Sequence, residues 1–286
     1  MRNIDIVILT IIREEYEAIC NHIENLIPDN QDLSKPNLYA WKTGSIYCPN
    51  FESNYNVAVG LVARKANTSS AIATINACDR YSPKVIIYIG IAGGFRKLKK
   101  GDIVIADTIV GYEYGTVNEF FRLQPNLIFQ TDLGLLSSAI AFANDYNWKN
   151  NLKITPPKPC SPKVYSGIIA SGEKVVEDPK NEFFQQVLSA IPKIDAVEME
   201  GVGAAQAISY EKSNYKSVAF MMLRCISDLP RVRKPTASSN GNLGKKERDN
   251  WKLYASDSVA SFTVAWIHNG LHIHPQELLN TSKKKE

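Results

Sequence analysis

Cysteine pairs, histidine clusters and long apolar runs are all scarce in this 286-residue chain. Its five cysteines, Cys20, Cys48, Cys78, Cys160 and Cys225, are odd in number, scattered and without CxxC spacing. That favours reduced thiols over a disulfide frame or a zinc site. There are four histidines. His272 and His274 are the closest pair and adjoin a tail ending TSKKKE, so neither a metal nor another cofactor is expected. No apolar stretch approaches the roughly 18 residues of a membrane span. The start, MRN running straight into IDIVILTII, lacks the pattern of a secretory leader. A cytoplasmic protein without a membrane partner is expected. The basic runs RKLKK (96–100), RVRK (231–234) and KKER (245–248) carry no interleaved aromatics of the kind a single-stranded nucleic-acid platform needs. No nucleic-acid partner is expected; the runs read as solvated loops or as ground for a small polyanion.

The chain does contain alternating apolar and amphipathic segments. Ile4–Ile11, Asn56–Val62, Lys84–Ile89, Asp102–Val110, Val164–Gly172, Ile194–Glu198 and Ser217–Ser227 read as strands, several of them apolar throughout, as strands covered on both faces are. Glu14–Leu26, Asn67–Tyr81, Leu135–Tyr146, Asn181–Ile191, Glu200–Tyr210 and Lys246–His268 read as helices, the second capped by Asn67, Thr68 or Ser69. Residues 147–163 and 229–244 are Pro- and polar-rich loops. With no linker and no repeat, this alternation predicts one α/β domain over 1–286 with a mostly parallel sheet, 270–286 being a flexible tail.

Four strand ends carry glycine or polar residues: GIAGG (90–94), SGEKVV (171–176), VEME (197–200) and ISD (226–228). Open α/β sheets bind ligands beyond the carboxyl ends of their strands, so four such ends together point to one shared site. GIAGG is not a dinucleotide fingerprint, because Ala92 stands where the second glycine belongs and no helix follows. Its glycines mark a close backbone approach.

VEME followed by small residues, RCISD (224–228), IGIAGGFRKLKKGDIVIAD (89–107), IASGEKVV (169–176) and a glutamate-rich turn after the first strand resemble the nucleoside phosphorylase superfamily. The nearest resemblance is to its methylthioadenosine/S-adenosylhomocysteine nucleosidase branch, over about residues 4–268. The resemblance implies a mixed central sheet flanked by helices and a homo-oligomer built on dimers, in which YEYG (112–115) or Phe120-Phe121 closes a neighbour's site. It implies that Glu15 activates water and that Asp228, oriented by Ser227, protonates the purine. Glu200, with Met199, Arg224 and Ile91, holds the ribose; Val175, Val176, Ala92 and Gly93 hold the base. Glu198 caps or bridges. The chemistry agrees: breaking a ribosyl C–N bond builds positive charge on the sugar, which a fixed carboxylate stabilises most in the transition state. The bland alternatives are a helix-start role for Glu200 and a turn-cap role for Asp228.

Departures from the family pattern bear on the substrate. Lys65, beside Arg64, and Arg248 fall where the branch places apolar residues against a 5′-alkylthio group. Cations there suit a 5′-phosphate through charge-assisted hydrogen bonds. The expectation is an N-ribosidase acting on AMP or ATP, the activity of nucleotide-depleting anti-phage effectors. A thioether or plain nucleoside substrate, phosphorolysis with phosphate held by Arg13, and a non-catalytic purine sensor stay open as alternatives.

Overall fold

The computed structural model describes residues 3–29, 40–62, 64–117, 121–124, 127–145, 148–178, 180–214, 217–230 and 243–275. In chain order the elements are β1 (Ile6–Thr10), α1 (Arg13–His22), β2 (Ile27–Pro28), β3 (Ala40–Cys48), β4 (Ser53–Leu61), α2 (Asn67–Tyr81), β5 (Val85–Gly94) and β6 (Ile103–Gly111). There follow β7 (Gly115–Val117), β8 (Phe121–Leu123), β9 (Ile128–Gln130), α3 (Leu133–Asp145), β10 (Val164–Ser171), α4 (Glu182–Ala190), β11 (Ile194–Glu198), α5 (Gly201–Ser213), β12 (Ala219–Asp228) and α6 (Leu243–Asn269).

One ten-stranded sheet runs β11-β10-β6-β12-β5-β1-β4-β3-β2, with β9 on β6. β1 is fully buried because both its faces are covered. Ile6 and Ile8 pack with residues of α1, α3 and α6, while Val7 and Leu9 pack with residues of α2 and α5. Each such side chain contributes about 1.5–3 kcal/mol of burial. The sheet is mixed. Pairing is parallel from β4 through β1 and β5 to β12, and antiparallel where β12 meets β6. β11 pairs parallel with β10 and antiparallel with Gly93 and Gly94 of β5, so β5, β12, β6, β10 and β11 close into a ring. The ring gathers several strand ends around one opening.

α1 and α6 are joined by a buried His22–Asp257 contact, 2.8 Å between Nε2 and Oδ1. The other oxygen of Asp257 accepts the amides of Lys153 and Ile154.

The sequence reading missed β3, which pairs antiparallel with β4. Lys42, Gly44 and Ser45 interrupt its apolar alternation. The sheet also holds more antiparallel pairing than expected. The N-cap of α2 is Ala66; no side-chain cap forms there, and the Asn67 side chain instead crosses to α5. Residues 270–275, expected within a flexible tail, are held down. Leu271 is buried, and the Tyr55 hydroxyl accepts from its amide and donates to the Ile273 carbonyl. Residues 276–286, RVRK (231–234), Ala63 and Phe120 lie outside the described residues.

Candidate active site

The ends of β1, β5, β10, β11 and β12 line one cleft of about 360 Å³, closed on a further side by α6. Glu15, Glu200 and Asp228 all face it.

Glu15 stands in the first turn of α1 and is 3% exposed. It reaches back over its own helix start. One oxygen accepts the amides of Ile11 and Ile12 at 2.9 and 3.1 Å, the other that of Ile91 at 3.0 Å. Burial raises its pKa, against the pull of Arg224 and of these amides.

Glu200 and Glu198, the two glutamates of VEME, take different parts. Glu198, at the end of β11, accepts the amides of Glu200 and Gly201 and so caps α5. Ser171 caps the next amide, that of Val202, and Asn67 Oδ1 the one after, that of Gly203, at 2.8 Å. Three elements thus satisfy the first three free amides of α5, groups that no intrahelical partner serves. The small residues after VEME allow this convergence: a Cβ on Gly203 would lie 1.8 Å from the Asn67 carbonyl oxygen. Freed of capping, Glu200 turns into the cleft.

Arg224 is fully buried on β12 and lies beneath the cleft, not in its wall. Its expected contact with ribose is therefore replaced by a supporting role. Nη2 donates to Glu198 at 2.6 Å and to Glu200 at 3.2 Å. Gly90 is required by this layer, since a Cβ there would sit 2.0 Å from Arg224 Nη1 and 2.6 Å from Glu15 Oε1. One guanidinium against three buried carboxylates leaves excess negative charge. Burial first and Glu198 second push the Glu200 carboxyl up to about 8, with Arg224 opposing.

At the other end, Ser227 Oγ donates to Asp228 Oδ1 at 2.7 Å. Burial raises the Asp228 pKa; Ser227 and Arg248 work against that and Glu247 and Glu177 with it. Met199, Ile91, Ala92, Gly93, Val175 and Val176 line the cleft. Val175 is half exposed and offers no ring for a base to stack on.

Lys65 and Arg248 also line the cleft. Arg64 is exposed outside it, because Lys65 alone of this pair is turned inward. Arg13 is highly exposed and pairs with Glu17, which removes it from any phosphate role in the cleft. Tyr112 is buried under the 172–174 turn, its hydroxyl donating to the Lys174 carbonyl, so it is no lid; Tyr114 is exposed.

The family model described as the phosphorylase superfamily matches residues 5–254. The chain belongs to the phosphorylase superfamily. A 5′-methylthioadenosine/S-adenosylhomocysteine nucleosidase of Desulfotalea psychrophila is 30% identical over 200 residues, covering 66% of this chain and 74% of that protein. The Colwellia psychrerythraea nucleosidase of the same name, in complex with adenine, superposes with a TM-score of 0.70 at 17% identity, over 96% of this chain and 99% of that one. A futalosine hydrolase mutant of Helicobacter pylori gives 0.69 at 19% identity, over 92% and 98%. At these identities the superpositions establish the fold of this superfamily member.

Several charged cleft residues were given no site role by the sequence reading, among them Glu14, Lys174, Glu177, Asp249 and Lys252. Lys245, Arg248, Asp249 and Lys252 are spaced i, i+3, i+4, i+7, which places them on one stripe of α6. That spacing was the available signal. Lys252 pairs with Glu14 at 2.6 Å. The Arg248 Nε is buried and has no hydrogen-bond partner among the described residues.

Proposed function

We propose that this protein hydrolyses the bond between adenine and ribose in a 5′-phosphorylated adenine nucleotide, AMP or ATP, giving adenine and the corresponding ribose phosphate. The coarser reading, a purine nucleosidase of the methylthioadenosine/S-adenosylhomocysteine nucleosidase type, rests on family membership and on the named relatives. In it, Asp228 donates a proton to N7 while the C1′–N9 bond breaks. Glu200 accepts hydrogen bonds from the ribose hydroxyls and stabilises the positive sugar. Glu15 takes a proton from water as the water oxygen bonds to C1′. The raised Asp228 pKa suits an acid that must hold its proton near neutral pH.

The nucleotide reading is carried by one observation: Lys65, Lys245, Arg248 and Lys252 line the same cleft as the three carboxylates. Phosphate oxygens would pair with these cations, whereas an apolar 5′ substituent would offer them no acceptor. On such a substrate the activity drains a nucleotide pool, the property a nucleotide-depleting defence effector needs. A thioether nucleoside is the second reading, favoured by the Glu14–Lys252 and Glu113–Lys174 pairs, which internally neutralise two of the five cations lining the cleft.

The test is release of free adenine from ATP, AMP, adenosine and methylthioadenosine by the purified protein. Adenine from the 5′-phosphorylated substrates at the highest kcat/KM is expected; adenine from the thioether alone refutes the nucleotide reading. Asp228→Asn should lose about 10²–10⁴-fold in turnover while still binding substrate. A wild type that binds adenine nucleotides without turnover is a sensor, not an enzyme.

A further inference from the structure

Arg248 faces two ways. Its Nε lies 4.0 Å from Asp228 Oδ1, too far for a hydrogen bond but close enough for the two charges to interact. The same Nε is buried and without a hydrogen-bond partner among the described residues. Its side chain, 21% exposed, lines the cleft between Lys245 and Lys252. A buried guanidinium nitrogen with no acceptor is a costly arrangement that an incoming anion would relieve. Asp228, for its part, has few other charges to answer to. Ser227 on its own strand donates to one oxygen. Glu177, from the segment after β10, and Glu247, from α6, both oppose its ionisation, and Glu247 is itself paired with Lys100. Arg248 is thus the principal cation favouring the Asp228 carboxylate.

We propose that Arg248 is a positioning residue that ties the protonation of Asp228 to the occupancy of the 5′ end of the cleft. With that end empty, or filled by an uncharged group, the guanidinium works against burial and draws Asp228 toward the ionised form, which cannot donate a proton. A 5′-phosphate draws the guanidinium into charge-assisted hydrogen bonds and adds its own negative field. Asp228 then takes up the proton that N7 needs. The substrate's 5′ anion arms the general acid, and selection between nucleotide and nucleoside falls on kcat as well as on binding. This inference rests on the nucleotide reading above for its substrate but on the Arg248–Asp228 geometry for its mechanism.

The experiment is the pH profile of kcat, which reports ionisations of the bound complex. The falling limb at high pH marks loss of the acid's proton. In the wild type this limb should lie about one pH unit higher with AMP than with adenosine, the smaller end of what a nearby opposite charge imposes. Arg248→Met should move the adenosine limb up to meet the AMP limb, and Arg248→Lys should keep most of the gap. If Arg248→Met raises the KM for AMP and leaves both limbs in place, Arg248 is only an anion contact and the proposal falls. If AMP and ATP release no adenine, the nucleotide reading fails separately, and the adenosine limb in wild type and Arg248→Met still decides the coupling. If nothing turns over, the carboxyl titration of ¹³C-labelled Asp228, with and without inorganic tripolyphosphate, decides it: an unchanged midpoint overturns the proposal and an upward shift supports it.

Discussion

Glu200 shares the Arg224 guanidinium with Glu198 and receives the weaker half, 3.2 Å against 2.6 Å. Burial first and Glu198 second, only partly opposed by that contact, push its carboxyl up to about 8 in the folded, ligand-free protein. In the unfolded chain a glutamate ionises at about pH 4.3. Between those values the folded form keeps a proton that the unfolded chain has released. The stability this group contributes is full below the unfolded value and is lost as pH rises toward 8. Glu15 and Asp228, both raised by burial, act in the same direction. We expect the melting temperature of the free protein to fall across pH 5 to 8, and Glu200→Gln to remove part of that slope. An identical slope in wild type and variant, by calorimetry, refutes the assignment. At this scale the motifs pointed to carboxylates that the fold gathers at one cleft, because carboxylates and a guanidinium are rare in apolar strands. They did not reveal that Arg224 is covered. A motif fixes a residue's place along β12, whereas its access to ligand depends on Glu198, Glu200 and Glu15 arriving over it from β11, the α5 start and α1.

Elements are positioned by their ends. The 64–67 turn leads into α2, and there Ala66 adopts φ 107° and ψ 148°, a region nearly reserved for glycine. Its amide points to Glu200 Oε1 at 3.5 Å, and the next amide, that of Asn67, is held by Glu173 at 2.9 Å. The strained residue thus fixes the Lys65 turn against the cleft. Ala66→Gly should relieve about 1–3 kcal/mol of strain, partly offset by about 0.4–1 kcal/mol of added unfolded-state freedom. The melting temperature should rise. KM for a 5′-phosphorylated substrate should also rise, with kcat little changed, because Lys65 is less fixed. A lower melting temperature would contradict the strain argument. Helix α2 itself was legible, since small and apolar residues recur at helical spacing from Ala71 to Tyr81 behind a polar start at Asn67. The direction of the Asn67 side chain was not, because its acceptor role serves amides on α5, more than 130 positions away.

At the scale of the whole molecule, the alternation of strands and helices announced the α/β class, but the ring closure had no local signal. Pairing of Gly93 and Gly94 with Val197 and Ala196 joins segments about a hundred residues apart. That closure concentrates charge. The net charge of the chain is only +4, yet Lys65 and the α6 stripe of Lys245, Arg248 and Lys252 converge on one concave opening. A cluster of like charges on one wall of a cleft speeds the approach of opposite charge. Of the cleft carboxylates, Glu15, Glu198 and Glu200 are bound to amides or to Arg224, Asp228 to Ser227, and Glu14 to Lys252. Screening discriminates between substrates here, because the Debye length falls from about 10 Å at 0.1 M ionic strength to about 3 Å at 1 M. Raising salt from about 0.1 to about 1 M should lower kcat/KM for ATP several-fold, lower it less for AMP, and leave adenosine nearly unchanged. Initial rates of adenine release on the three substrates across a salt series check this. Equal salt dependence for all three would mean that the mouth is electrically neutral to its ligand, with Glu14 and Asp249 cancelling the lysines beside them.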